Sequence, residues 1–157
     1  MAATDTVQVY NENALFVSAV MLFGILAFHA LYIFIINRCF TASAKWLAKR
    51  QHHILLDVSF LIAASILSMA HILEIWILGY SIHRIGLVSS YHEAIVFAGS
   101  TYTTVGYGND PLTQGWQLVM VTMALLGALT IAWTTSVLFS FGSLTRSLQT
   151  KIDSGTD

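Results

Sequence analysis

Two groups of residues in this chain have the types and spacing to do chemistry. The first is Thr103-Thr104-Val105-Gly106-Tyr107-Gly108, a short polar run between long apolar segments. Taking a cation out of bulk water is prohibitive unless other groups replace its hydration shell. A strand whose carbonyls all turn toward one axis can replace it, and that conformation needs left-handed backbone at some positions. Gly106 and Gly108 carry no steric penalty there and stand at alternate positions. The side chains of Val105 and Tyr107 are then expected to pack behind the strand, and the Thr104 hydroxyl to add oxygens at its inner end. These features suit cation coordination without selecting one ion.

The second group is His29, His71 and Glu74. His71 and Glu74 lie three apart, hence on one helix face. Ionisable groups inside apolar segments are costly and face protein, a partner or water. Three roles compete for them. A structural hydrogen-bond cluster is favoured. A proton-sensitive element is the second, because histidine titrates near neutral pH. A metal site is the third, and it needs a third ligand, for which His29 is the obvious candidate. A membrane enzyme would use that metal site, but no nucleophile constellation accompanies it, so the chain is expected not to be an enzyme.

Both groups must be positioned by membrane elements. Of the 157 residues, 56% are apolar and only 10% charged; soluble domains run at about 25% charged. The net charge is −1, and the few basic residues form no nucleic-acid footprint. The single cysteine, Cys39, excludes an internal disulfide and any multi-cysteine metal site. Three segments, roughly 14–36, 54–82 and 116–141, meet the length of about 20 apolar residues that a bilayer crossing needs. The first is too long for a signal peptide core and lacks a basic leader, so it is read as a retained helix.

Basic residues set the expected orientation. Arg38, Lys45, Lys49 and Arg50 lie between the first two segments, and Arg146 and Lys151 follow the third. Only Arg84 lies between the second and third. The positive-inside rule then puts the N-terminus outside and the C-terminus in the cytoplasm of a multi-pass cell-membrane protein. The loop Phe40–His53 is either an interfacial helix, with Lys45, Lys49 and Arg50 on anionic lipid head groups, or a solvated loop that only sets topology.

Ser90, three residues before Glu93, is a capping box and predicts a helix from Tyr91 to Thr103. Thirteen residues cannot span a bilayer, so this is read as a re-entrant helix. Its C-terminus carries partial negative charge and would favour a cation.

The run Thr-Thr-Val-Gly-Tyr-Gly, preceded by a short helix and flanked by two apolar segments, resembles the pore domain of potassium channels. Trp116 and Leu125-Leu126-Gly127-Ala128-Leu129 resemble an inner pore helix. His71-x-x-Glu74-Ile75-Trp76 and Ala132-Trp133-Thr134-Thr135-Ser136 resemble small bacterial members of the two-helix ion-channel family. The resemblance covers about 54–141. The segment before it is an extra N-terminal helix with no family role.

The resemblance implies an all-α membrane fold. It has three transmembrane helices with a re-entrant pore helix and filter loop, assembled as a homotetramer. The implied organisation is 1–53 (tail, first helix and basic loop), 54–142 (pore domain) and 143–157 (cytoplasmic tail). It implies K⁺ bound by carbonyls of Thr104, Val105, Gly106 and Tyr107, a filter completed by Gly108, and no cofactor beyond the permeant ion. Ser100, Thr103, Asn109 and Asp110 would surround the filter, and Gly127 would be a hinge. Two positions depart from the family. Asn109 stands where many members have Asp, and Ser100 where some have a glutamate behind the filter. Hydrogen bonding behind the filter is therefore expected to differ. No segment has arginine at every third position, so no arginine-based voltage sensor is expected. The expected function is passive K⁺ conduction. A weakly selective Na⁺/K⁺ channel and a non-conducting regulatory subunit are the rivals.

Overall fold

The structure is a computed structural model that describes residues 12–106, 111–112 and 114–154. Four helices account for the regular structure among these residues: α1 (Glu12–Lys49), α2 (His53–Arg84), α3 (Tyr91–Tyr102) and α4 (Gln117–Ser154). Helices α1, α2 and α4 are long and apolar enough to cross a membrane, whereas α3 has 12 residues. The chain divides into two compact units. One comprises the described part of Met1–Ile25 with Glu74–Ala128, and the other Leu26–Leu73 with Leu129–Asp157 as far as described.

In the first unit, buried positions recur at helical spacing: Ala14, Ser18, Met21 and Ile25 on α1, and Glu74, Leu78 and Ile82 on α2. On α4 they are Val119, Thr122, Met123 and Leu126. In hydrocarbon such stripes are held by close packing and hydrogen bonds rather than by expulsion of water, which favours small residues at contacts. Two glycines meet that need against α3. A Cβ on Gly79 would stand 2.9 Å from the Cα of Ile95, and a Cβ on Gly127 would stand 2.6 Å from the carbonyl carbon of Tyr102.

The second unit has its own apolar core, formed by Ile33, Phe40, Ala44, Leu47, Leu56, Ala63, Leu67 and Phe141. The rings of Phe40 and Phe141 stack at 4.2 Å. The Tyr32 hydroxyl donates to the Ile66 carbonyl at 2.8 Å.

Two helix ends differ from expectation. The segment 40–53, expected as a loop or a separate interfacial helix, continues α1 without a break to Lys49. Phe40, Ala44 and Leu47 keep one buried face through that stretch, while Lys45 and Lys49 are exposed. Helix α4 likewise runs on through the expected tail to Ser154.

The connections are tight. Helix α1 ends with Gln51 at φ 57°, Gln51 N–H on the Ala48 carbonyl and His52 N–H on the Leu47 carbonyl. Helix α2 ends in the same way at Gly86 (φ 77°), with Gly86 N–H on His83 and Leu87 N–H on Ile82. These paired bonds satisfy the last carbonyls of a helix, and glycine suits the left-handed position. Leu87 and Ile82 are both buried, the apolar contact that accompanies this turn.

Candidate functional site

The site is built from the end of α3. Ser90 precedes the helix with extended backbone, and its hydroxyl accepts from the Glu93 N–H at 3.4 Å. That satisfies one of the donors left open in a first turn. The helix thus starts at Tyr91 as expected and ends at Tyr102, a residue sooner.

The main chain after α3 curls back onto the last carbonyls. Thr103 N–H bonds Gly99 O at 3.0 Å, and Thr104 N–H bonds Thr101 O at 3.0 Å. The Ser100 carbonyl accepts twice, from Val105 N–H at 2.9 Å and Gly106 N–H at 3.1 Å. The hydroxyl of Ser100 donates to Phe97 O, and that of Thr103 to Gly99 O. The position where the resembled family sometimes carries a glutamate therefore acts here through its backbone and a local hydroxyl bond.

Thr104 has φ 60° and Gly106 φ 69°, with Val105 between them outside the left-handed region. Positive φ thus falls on alternate residues, and it starts one step earlier than the glycines announce. For a β-branched residue this conformation is an outlier that costs about 1–3 kcal/mol and clusters at functional sites. The Val105 side chain, expected to pack behind the strand, is 55% exposed within the single chain. Tyr107, Gly108, Asn109 and Asp110 lie outside the described residues.

Tyr102 anchors this end of α3. Its hydroxyl donates to Oε2 of Glu74 on α2, and the two residues are 1% and 0% exposed. Its main chain receives Gly127 of α4. Gly127, expected as a hinge, has a steric reason to be glycine that sequence spacing does not reveal. Tyr102 and Gly79 were not singled out by sequence reasoning. A Cβ on Gly99 of α3 would in turn stand 3.4 Å from Cγ2 of Ile75, one turn before Gly79 on α2.

The histidines belong to the second unit. The rings of His29 and His71 lie 5.5 Å apart, and His29 also meets the Trp133 ring at 5.6 Å. Nε2 of the fully buried His29 is 3.3 Å from the Thr134 hydroxyl. Thr130 and Thr134 are buried, whereas Ser136 is exposed. At the far end of this unit Asp57 accepts from Gln149 at 2.9 Å.

No curated protein and no solved structure matches the chain. Residues 66–143 match the family model described as an ion channel. That span runs from within α2, through α3 and the chain after it, into the second half of α4. Just under half of the chain is thus similar to an ion-channel domain, and three helices among the described residues are long and apolar enough to cross a membrane.

Proposed function

We propose that the protein is a potassium-selective channel, assembled as a homotetramer around the segment Thr104–Gly108, with α3 as its pore helix. The observation that carries this reading is the left-handed backbone at Thr104 and Gly106 directly after a short helix, inside the ion-channel match. One chain supplies one such segment, and a ring of carbonyls needs several copies. The family resembled uses four. The partial negative charge at the C-terminus of α3 favours a cation beside Thr104. Thr104-Val105 before Gly106 favours K⁺ selectivity over a mixed Na⁺/K⁺ pathway. The basic residues favour a mouth for this filter on the extracellular side. On this reading the protein is a passive conductor and not an enzyme.

The test is K⁺ flux from proteoliposomes, with the reversal potential measured in mixed K⁺ and Na⁺. The wild-type protein is expected to conduct, with a reversal potential set by K⁺. Gly106 has φ 69°, and a Cβ there would meet nothing within 4 Å, so Gly106→Ala perturbs the backbone without an intrachain clash. It is expected to lose most of the flux. Equal flux from both proteins would refute the assigned filter, and a reversal potential near zero would refute K⁺ selectivity.

A further inference from the structure

At the α2 start and α4 end, the second unit holds a cavity of about 360 Å³ that no part of the conduction reading uses. Its apolar lining is Phe60, Leu138, Phe139 and Gly142, and its polar lining is Asp57, Thr145, Arg146 and Gln149. The two helices run antiparallel here, with a fixed register. Gln149 Nε2 donates to Asp57 Oδ1 at 2.9 Å, and His53 Nε2 lies 3.9 Å from Asp153 Oδ1. Along α4, Leu138 and Phe139 lie farther from the helix end than Arg146 and Gln149, and Phe139 is exposed on the surface of the single chain. On α2, Asp57 lies closer to the helix start than Phe60. Both helices therefore grade the lining from polar near these helix ends to apolar farther along them. Residues 138 to 149 extend over about 16 Å at 1.5 Å per residue.

A second, independent feature points to a ligand. Thr145 lines this cavity and is 5% exposed, and its hydroxyl, itself closed off from solvent, has no hydrogen-bond partner. A helical threonine ordinarily satisfies its hydroxyl on a carbonyl one turn back, as Thr150 does on Arg146. A buried polar group left without a partner is rare and calls for a missing group.

We propose that this cavity binds one phospholipid of the surrounding leaflet, with a zwitterionic head group ending in a primary ammonium. The charges on the lining decide the class. Arg146 offers a guanidinium fork suited to a phosphate, and rotation of Thr145 about χ1 would let its hydroxyl donate a further bond. Asp57 has one carboxylate oxygen engaged by Gln149 and further acceptor capacity for an ammonium N–H. An anionic head group would satisfy Arg146 but face Asp57 unpaired. A quaternary ammonium would reach Asp57 without an N–H to donate. The apolar part of the lining takes the start of an acyl chain, since α2 and α4 are both candidate membrane spans. This site rests on the membrane reading and is independent of ion selectivity.

Native mass spectrometry of the full chain in detergent, supplied with equal amounts of phosphatidylethanolamine, phosphatidylcholine and phosphatidylglycerol, tests the proposal. The expected result is about tenfold higher retention of phosphatidylethanolamine than of either other lipid. Arg146→Gln and Asp57→Asn are each expected to abolish the preference. Arg146→Lys, which keeps the cation, and Lys151→Gln, a charge change outside the lining, are expected to retain it. Equal retention of all three lipids would mean adventitious lipid and would overturn the site. So would a preference for phosphatidylglycerol, or a preference unaffected by Asp57→Asn. Retention by dissociated subunits but not by the intact oligomer would assign the cavity to a neighbouring copy. These readouts stand apart from K⁺ flux, so loss of either proposal leaves the other to be judged on its own data.

Discussion

Gly127→Ala separates packing from hinging at the inner helix. The new Cβ would overlap the carbonyl oxygen of Tyr102, its nearest neighbour, and would stand 2.6 Å from the carbonyl carbon and 3.1 Å from the Cα of that residue. Non-bonded carbons prefer about 3.5–4.0 Å. Relief thus requires α4 and the end of α3 to part by about 1.5 Å, since the obstacle is main chain and not a side chain that can rotate away. Overpacking of this kind costs about 1–3 kcal/mol, with a backbone obstacle toward the upper end. Replacing glycine by alanine inside a helix returns up to about 1 kcal/mol. The net expectation is a destabilisation of about 1–2 kcal/mol. Gly24→Ala is the control, because a Cβ there meets nothing within 4 Å. It is expected to be neutral or slightly stabilising. Denaturant unfolding in mixed micelles compares the two, and reversal potentials follow the displacement of Thr103–Gly106. Equal stability of both variants, with unchanged selectivity in Gly127→Ala, would refute the packing argument and return Gly127 to a hinge.

Removing the buried hydroxyl with Tyr102→Phe takes a donor from the Glu74 carboxyl and is expected to cost about 1–3 kcal/mol in the same unfolding assay. Glu74→Gln keeps an acceptor for Tyr102 and is expected to lose less; a larger loss for Glu74→Gln than for Tyr102→Phe would contradict the assigned bond. Ser90→Ala removes the α3 cap and is expected to cost about 1 kcal/mol, read as faster amide hydrogen exchange at Glu93 and Ala94, with no change at Ser100–Tyr102.

The long helices were legible because hydrocarbon imposes long apolar runs, and the start of α3 because Ser90 and Glu93 carry a local capping signal. Lengths were harder to read. Lys45, Lys49 and Arg50 resemble a loop by charge, yet Phe40, Ala44 and Leu47 hold one buried face, and that tertiary contact decides the matter. The glycines announced left-handed backbone at Gly106, but nothing local marks Thr104. Its φ of 60° follows from the curl of the chain onto Ser100. The bond between Tyr102 and Glu74 joins residues 28 apart, so no periodicity within one helix could disclose it. Family likeness gives Gly127 the role of a hinge, whereas its neighbour in space, Tyr102, explains why no larger residue fits.

The two glycine seats also determine how stiffly α3 is mounted. A side chain between two helices acts as a spring, since a rotamer change absorbs small relative movements. Gly79 and Gly127 remove that spring and set main chain directly against main chain, at Ile95 and at Tyr102. A shift of α4 at residue 127 therefore has no compliant layer in which to dissipate before it reaches Tyr102. One residue further on, the chain turns into Thr103 and the left-handed Thr104. In mechanical terms this end of α3 is bolted rather than sprung, and its position reports that of the helices it touches.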